Sequence, residues 1–130
     1  MNELAKSWLY RSFFNKPMQG AEGPSYLWAS GKAELALDDK GVTGVLDFDH
    51  PIVSSVKVTG NVEVDQSGSP LKLNLIGTNA AGFLSEISGW FIPPVEGAKG
   101  QVLSAVGSVI DKQSGTVGSF VLTESESVPV

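Results

Sequence analysis

The sequence predicts an all-β protein: a single closed antiparallel up-and-down barrel of about eight strands. Three observations support this. Runs of alternating apolar and polar residues recur along most of the chain, short segments rich in Gly, Pro, Asn and Asp separate them, and no segment has convincing helical periodicity. A meander of this length has exposed edges unless its first and last strands pair, so we predict closure. One barrel domain would then span residues 1–130, with 125–130 as a loose tail.

The clearest pair of strands lies between Val56 and Gly77. Valines and a glycine alternate with polar residues up to Val64, turn-forming residues occupy 65–70, and leucines alternate with polar residues from Leu71 onward. A period of two gives a strand one dry face and one wet face. Two such runs joined by a short Gly/Pro segment predict a β-hairpin.

The other strands follow from the same criteria. Two Pro and two Gly within 15–24 predict a longer loop that could act as a lid. The pattern leaves open which face of the strands at 83–92 and 101–110 points inward. In chain order, the remaining predicted strands are 7–14, 25–37, 42–49, 83–92, 101–110 and 117–124.

Glycines on the dry faces favour a barrel over a two-sheet sandwich. They recur on successive strands, at Gly31, Gly44, Gly60 and Gly77. A small barrel needs interior glycines where its strands coil sharply.

Composition narrows the possible partners. The formal net charge of −5 repels phosphate backbones and no basic run offsets it, so we predict no nucleic-acid partner. The chain has no cysteine, which excludes disulfides and thiolate zinc sites. No apolar run approaches the roughly 20 residues that span a bilayer, so we predict no membrane span. The first residues lack the layout of a signal peptide, and we expect a cytoplasmic protein.

The dry faces indicate what the lumen would hold. They consist mostly of Val, Leu, Ala and Gly, and such small residues leave space inside a barrel. We predict an apolar cup with one open mouth that binds a small apolar molecule without a cofactor. The residues predicted around that ligand are Trp8, Tyr10, Ser12, Phe48, His50, Ser85 and Trp90.

The layout resembles the calycin barrels, which include lipocalin-like and avidin-like proteins. The resemblance rests on an early tryptophan, Trp8, on the meander, and on the Gly-x-aromatic pattern of Gly118-Ser119-Phe120 in the last strand. The Gly-x-Trp start of lipocalins is missing, because Ser7 precedes Trp8 without a Gly before it. The resemblance implies a barrel that binds a small ligand inside. Scattered motifs, including Gly89-Trp90, also resemble a set of small bacterial proteins of unassigned function.

Two further functions stay open at this point. The first is a barrel enzyme, similar to a cyclase or isomerase, that holds an apolar substrate in a reactive shape, with Tyr10 or His50 as acid or base. The second is a structural module whose barrel is plugged. Asp47, Asp49 and His50 fall short of a full metal site, so we predict no metal and assign no catalytic residue.

Two tryptophans, Trp28 and Trp90, fall on faces that the alternation assigns outward. Exposed tryptophan is unusual, and together with Ile92, Leu103 and Val109 these residues predict a homodimer through the apolar outer face. The alternative is that the face assignment is reversed and the tryptophans line the cup.

Overall fold

The chain folds as a closed barrel of eight strands in the order of the sequence. The computed structural model describes residues 7–20, 23–38, 41–80, 82, 84–93, 95–99 and 102–125. Its strands are β1 (Ser7–Gly20), β2 (Gly23–Asp38), β3 (Gly41–His50), β4 (Ser54–Val64), β5 (Pro70–Thr78), β6 (Leu84–Ile92), β7 (Ser104–Asp111) and β8 (Val117–Glu124). The predicted all-β, up-and-down architecture is therefore confirmed.

Pairing of the first strand with the last closes the barrel. β1 and β8 run antiparallel in an unbroken register from Trp8 opposite Glu124 to Phe14 opposite Gly118. Every other strand pairs with its neighbours in the chain, also antiparallel. This closure satisfies the backbone groups that an open meander would expose at its edges. The barrel is compatible with a calycin-like fold.

Alternation along each strand sends one set of side chains into the lumen. In the central hairpin Val56, Val58, Leu73 and Leu75 are buried, as predicted, whereas the inward positions predicted for Val64 and Leu71 beside the turn are wrong, because both side chains are exposed. In β6 and β7, where the sequence left the faces open, Ile87 and the other buried residues point inward. The core consists of Trp8, Tyr10, Ala33, Leu35, Val42, Leu46, Val56, Val58, Leu73, Leu75, Ile87, Phe91, Ala105, Val109, Phe120 and Leu122.

The predicted loop at 15–24 is wrong, because β1 and β2 extend through it to Gly20 and from Gly23. Pairing between the two strands shifts register and resumes at Met18 opposite Ser25. Pro17 lies within this register shift, between Phe13 and Met18, and an interrupted ladder tolerates a residue that lacks an N–H donor. The two prolines and two glycines within 15–24 therefore belong to an irregular hairpin and not to an unpaired loop.

Glycines on the inner face allow neighbouring backbones to approach closely. At Gly60, a Cβ atom would collide with the carbonyl oxygen of Asn74 on β5, and at Gly31 it would collide with that of Asp47 on β3. A side chain at either position would push two paired strands apart. This supports the role in barrel coiling that the sequence predicted for the interior glycines.

The ends of the predicted elements differ in detail from the structure. Positions 83 and 101, where two strands were predicted to begin, lie outside the described residues, as do 126–130 of the predicted tail. Ser125 is described, and its N–H donates to the carbonyl of Ser7 at 3.0 Å. The described residues include no helical segment with the length and apolar character that crossing a bilayer requires.

Candidate functional site

A cavity of about 210 Å³ occupies one end of the barrel. It lies towards the end of the barrel that carries the β3–β4 connection, residues 51–53. Exposed Pro51 and Ile52, in the β3–β4 connection, form part of its lining and mark the mouth. The complete lining is Tyr10, Ser12, Trp28, Ala29, Leu46, Phe48, Pro51, Ile52, Ser54, Ser85, Ile87 and Val109.

The opposite end of the barrel is filled by large side chains. Trp8 is 1% exposed, and its ring lies 6.3 Å from that of Phe91 in a tilted arrangement. Leu35 and Leu122 are buried in the same core cluster. Large side chains of the described residues thus occupy one end of the lumen, and the cavity lies at the other.

Aromatic rings form much of the cavity wall. Tyr10 stacks on Phe120, with ring centroids 6.2 Å apart and planes 11° apart. On its other side, the Phe48 ring is tilted at 56° with its centroid 5.7 Å away. Gly89 makes room for this group, because a Cβ there would lie 2.7 Å from Cζ of Phe120. The inward faces of β1, β3 and β8 thus place three rings in contact.

Trp28 enters the lumen through an irregularity in β2. Ser12 pairs with Ala29 and the next residue of β1 pairs with Leu27, so Trp28 is an extra residue in the ladder. Such a bulge redirects a side chain from the phase that alternation predicts. The Trp28 ring stacks on Phe14, with centroids 5.1 Å apart. Gly118 leaves space for it, because a Cβ there would lie 2.9 Å from Cε3 of Trp28.

A few hydroxyl groups interrupt the apolar lining. Ser12 and Ser85 are each 2% exposed, and Ser12 Oγ donates to the carbonyl of Ala29 at 3.5 Å. Gly77 accommodates Ser85, because a Cβ at Gly77 would lie 2.9 Å from its Oγ. No lysine, arginine, histidine, aspartate or glutamate is among the described lining residues. The polar side-chain groups of the described lining are therefore the hydroxyls of tyrosine and serine and the indole N–H of Trp28, all of them uncharged.

Tyr10 is the one described lining residue with an ionisable side chain. Burial raises the pKa of Tyr10 from 10.0 to about 12, and its hydrogen bond with Ser12 opposes this shift. The phenol consequently stays protonated at neutral pH. Its oxygen can accept a hydrogen bond from a ligand, but the group has no phenolate form that could take up a proton under these conditions.

The structure brings together four of the seven residues that the sequence predicted at the site. Tyr10, Ser12, Phe48 and Ser85 all line the cavity. The remaining three, Trp8, His50 and Trp90, lie elsewhere. Trp8 is buried at the filled end, His50 is exposed at the end of β3, and Trp90 is 57% exposed on the outer face.

Trp28 and Trp90, for which the sequence left open whether they face outward or into the lumen, point in different directions. Trp28 lines the cavity, as in the reversed assignment, whereas Trp90 faces outward with Lys72 Nζ 5.5 Å from its ring centroid. The outward assignment of Val109 is wrong, because Val109 is buried and lines the cavity. Leu103 is partly buried against the core.

The sequence did not single out several lining residues. Leu46 and Ile87 lie two positions from Phe48 and Ser85, so extending the period of two along those strands would have found them. Ile52 lies in a connection that has no period, and no sequence signal marked it.

The acidic residues near His50 do not assemble a cation site. Asp47 accepts a hydrogen bond from Ser55 Oγ on β4, and Asp49 is exposed. Within the described part of the chain, no three His, Cys, Asp or Glu side chains group closely enough to hold a metal ion.

Comparison with known proteins adds no identity. No protein family, no curated protein and no solved structure matches the chain. The geometry of the cavity therefore carries the functional argument alone.

Proposed function

We propose that the protein binds a small apolar molecule in the cavity of its barrel. The observation that carries this proposal is the cavity of about 210 Å³ with aromatic and aliphatic walls. An engineered apolar cavity of about 150 Å³ in another protein is enough to bind benzene. A molecule of that kind would exchange contact with water for contact with the rings of Tyr10, Trp28 and Phe48.

The rigidity of the walls supports binding. Tyr10 is held between Phe48 and Phe120, and Trp28 is stacked on Phe14, so these side chains are already ordered before a ligand arrives. A preformed site loses little side-chain entropy on binding. Largely preformed, mostly apolar concave sites with a few polar groups are the usual form of small-molecule sites.

Binding ranks ahead of the enzyme alternative on a specific observation. Tyr10 is the only titratable group among the described lining residues, and it stays protonated at neutral pH. His50, the other proposed acid or base, is not among the lining residues. No described feature favours a reaction over binding.

We test the proposal with toluene and isothermal titration calorimetry. Val109→Phe places a ring in the cavity, whereas Val106→Phe adds the same ring on the same strand, at the position opposite outward-facing Trp90. We expect the wild type and Val106→Phe to bind toluene at one site and Val109→Phe to lose binding at least tenfold. Thermal unfolding checks that both variants are folded. Absence of saturable binding in the wild type, or binding that Val109→Phe leaves unchanged, would refute the proposal.

A calycin relationship is part of the same proposal. The strand number, the chain-order pairing and the early Trp8 support it. The small-ligand binding that this resemblance implies agrees with the cavity chemistry.

We also propose that two copies associate through the outer face of β5–β8. Ile76, Trp90 and Ile92 are large apolar side chains exposed there. Among the described outward residues of these four strands, the charged ones are Lys72 and Glu86. Glu86 pairs with Lys112 Nζ at 3.4 Å within the same copy, and Lys72 Nζ lies 5.5 Å from the Trp90 ring centroid, so both charges already have partners on this face. This balanced face avoids the repulsion that a net charge of −5 would otherwise produce between copies.

Light scattering after size exclusion tests the dimer. Trp90→Glu places a charge in the proposed interface, and Thr43→Glu adds the same charge on the outer face of β3. We expect the dimer mass for the wild type and Thr43→Glu, and the monomer mass for Trp90→Glu. A monomeric wild type at every concentration, or a dimeric Trp90→Glu, would contradict the interface.

A further inference from the structure

We infer that the ligand of the cavity is an uncharged molecule with a single ring, a short substituent and one hydroxyl group, such as a small phenol or cyclic alcohol. This inference rests on the proposed function and specifies the chemistry of the molecule. Three properties of the cavity carry it: its charge, its size, and the position of its hydroxyl groups.

The absence of charge in the lining argues against an ionised ligand. None of the described lining residues is acidic or basic, and Tyr10 is neutral. A carboxylate or ammonium group inside this wall would lose its hydration without gaining an opposite charge. An anion would also approach a chain whose net charge is −5.

The volume limits the carbon skeleton. A cavity of about 210 Å³ exceeds by less than half the cavity of about 150 Å³ that holds benzene. One ring with a short substituent suits this space, whereas a long acyl chain or several fused rings would exceed it. The rings of Tyr10, Phe48 and Trp28 offer faces and edges for contact with a flat molecule.

The hydroxyl groups define where a ligand oxygen would bind. Tyr10 and Ser12 are hydrogen-bonded to each other, and the Ser12 hydroxyl donates to the carbonyl of Ala29. Because the single Ser12 proton goes to Ala29, the Tyr10 O–H donates to Ser12 Oγ, and each of the two oxygens keeps an acceptor lone pair. A ligand hydroxyl can donate to one of these oxygens, whereas a hydrocarbon leaves this acceptor capacity unused.

Calorimetry with three matched probes tests the inference. The probes are toluene, 4-methylphenol and 4-methylbenzoate, which share a methyl-substituted ring. In the wild type we expect 4-methylphenol to bind roughly threefold to tenfold more tightly than toluene, which corresponds to one net hydrogen bond. We expect 4-methylbenzoate to bind at least roughly a hundredfold more weakly than 4-methylphenol.

Two variants assign the preference to the polar pair. Tyr10→Phe and Ser12→Ala should each lower the ratio of 4-methylphenol affinity to toluene affinity, with both affinities measured in the same variant. Using two variants keeps the test valid if one of them fails to fold.

The outcomes separate this inference from the proposed function. If toluene binds at the cavity but 4-methylphenol is no tighter, or if 4-methylbenzoate binds comparably, the inference is wrong and apolar binding stands. If the preference persists in both variants, the hydroxyl contact lies elsewhere and the inference is wrong. If none of the probes binds the wild type, both the proposed function and the inference are refuted.

Discussion

Raising the pH through the range from 10 to 12 should destabilise the folded protein through Tyr10. Burial raises the pKa of Tyr10 from 10.0 to about 12 in the folded state, so between these values the unfolded chain ionises and the folded chain does not. The folded state then binds more protons, and the free energy of unfolding falls as the pH rises. The stabilisation is fully present below pH 10 and is lost as the pH approaches 12.

The magnitude follows from the size of the shift. The pKa of Tyr10 rises by about two units, and each unit corresponds to about 1.36 kcal/mol. The free energy of unfolding should therefore fall by roughly 3 kcal/mol above both pKa values. This is a substantial part of the 5–15 kcal/mol or so that is typical of a folded domain.

Ultraviolet absorbance of tyrosinate provides the assay. The chain contains two tyrosines, so Tyr26→Phe leaves Tyr10 as the only source of the signal. We expect tyrosinate to appear in folded Tyr26→Phe only as the pH approaches 12. Denaturant unfolding of Tyr10→Phe at each pH gives the matched control, because every pH-dependent contribution other than that of Tyr10 is common to both proteins.

Two results would refute this argument. The first is a tyrosinate signal that develops around pH 10 while Tyr26→Phe remains folded. The second is an unfolding free energy that depends on pH in the same way for Tyr10→Phe and for the wild type. Either result would mean that Tyr10 is in contact with water and that the cavity wall is looser than the structure indicates.

Three further perturbations test other parts of the structure. Gly60→Ala brings a methyl group against the carbonyl of Asn74, so urea unfolding should show a loss of about 1–3 kcal/mol. Leu46→Ala should cost about 2–5 kcal/mol in the same assay and, by enlarging the cavity, should let calorimetry detect ligands larger than toluene. Hydrogen bonding, chiefly from Ser67, lowers the pKa of Asp65, so its stabilisation is present above its ordinary pKa and is lost as the pH falls through the lowered value. Asp65→Asn should remove that acid-dependent part of the unfolding curve.

The fold could be predicted because its main signal is local. In β4, Val56 and Val58 alternate with exposed residues, and both are buried as the period of two requires. Closure could be predicted because a meander with two free edges is unfavourable. The extent of the first hairpin could not, since Pro17 and Gly20 have the composition of a loop. Only tertiary pairing extends the strands through that region.

The site was only partly predictable because a bulge changes the phase of a strand. Tyr10 and Ser12 keep the phase of β1, so alternation alone placed them inside. Trp28 is an extra residue opposite β1, and its inward direction depends on pairing across two strands. The space at Gly118 that receives the Trp28 ring comes from residues 90 positions away in the sequence. Such complementarity is visible only once the barrel has closed.

The hollow end of the barrel has a simple origin in side-chain size. Along the inner face of β1, the residues become smaller from Trp8 to Tyr10 to Ser12. Ala29 and Ser85 continue the series of small residues around the hollow end.

The cavity has a cost in stability. At about 24 cal/mol per Å³, an empty, closed cavity of about 210 Å³ would destabilise the fold by up to roughly 5 kcal/mol, and hydration through the mouth reduces that cost. A bound molecule restores these contacts. Binding also stabilises the folded state, and once the ligand concentration exceeds the dissociation constant, this stabilisation grows with the logarithm of the ligand concentration. Ligand binding and folding stability are thus linked through the same small residues. Larger side chains there would stabilise the empty barrel while abolishing the site.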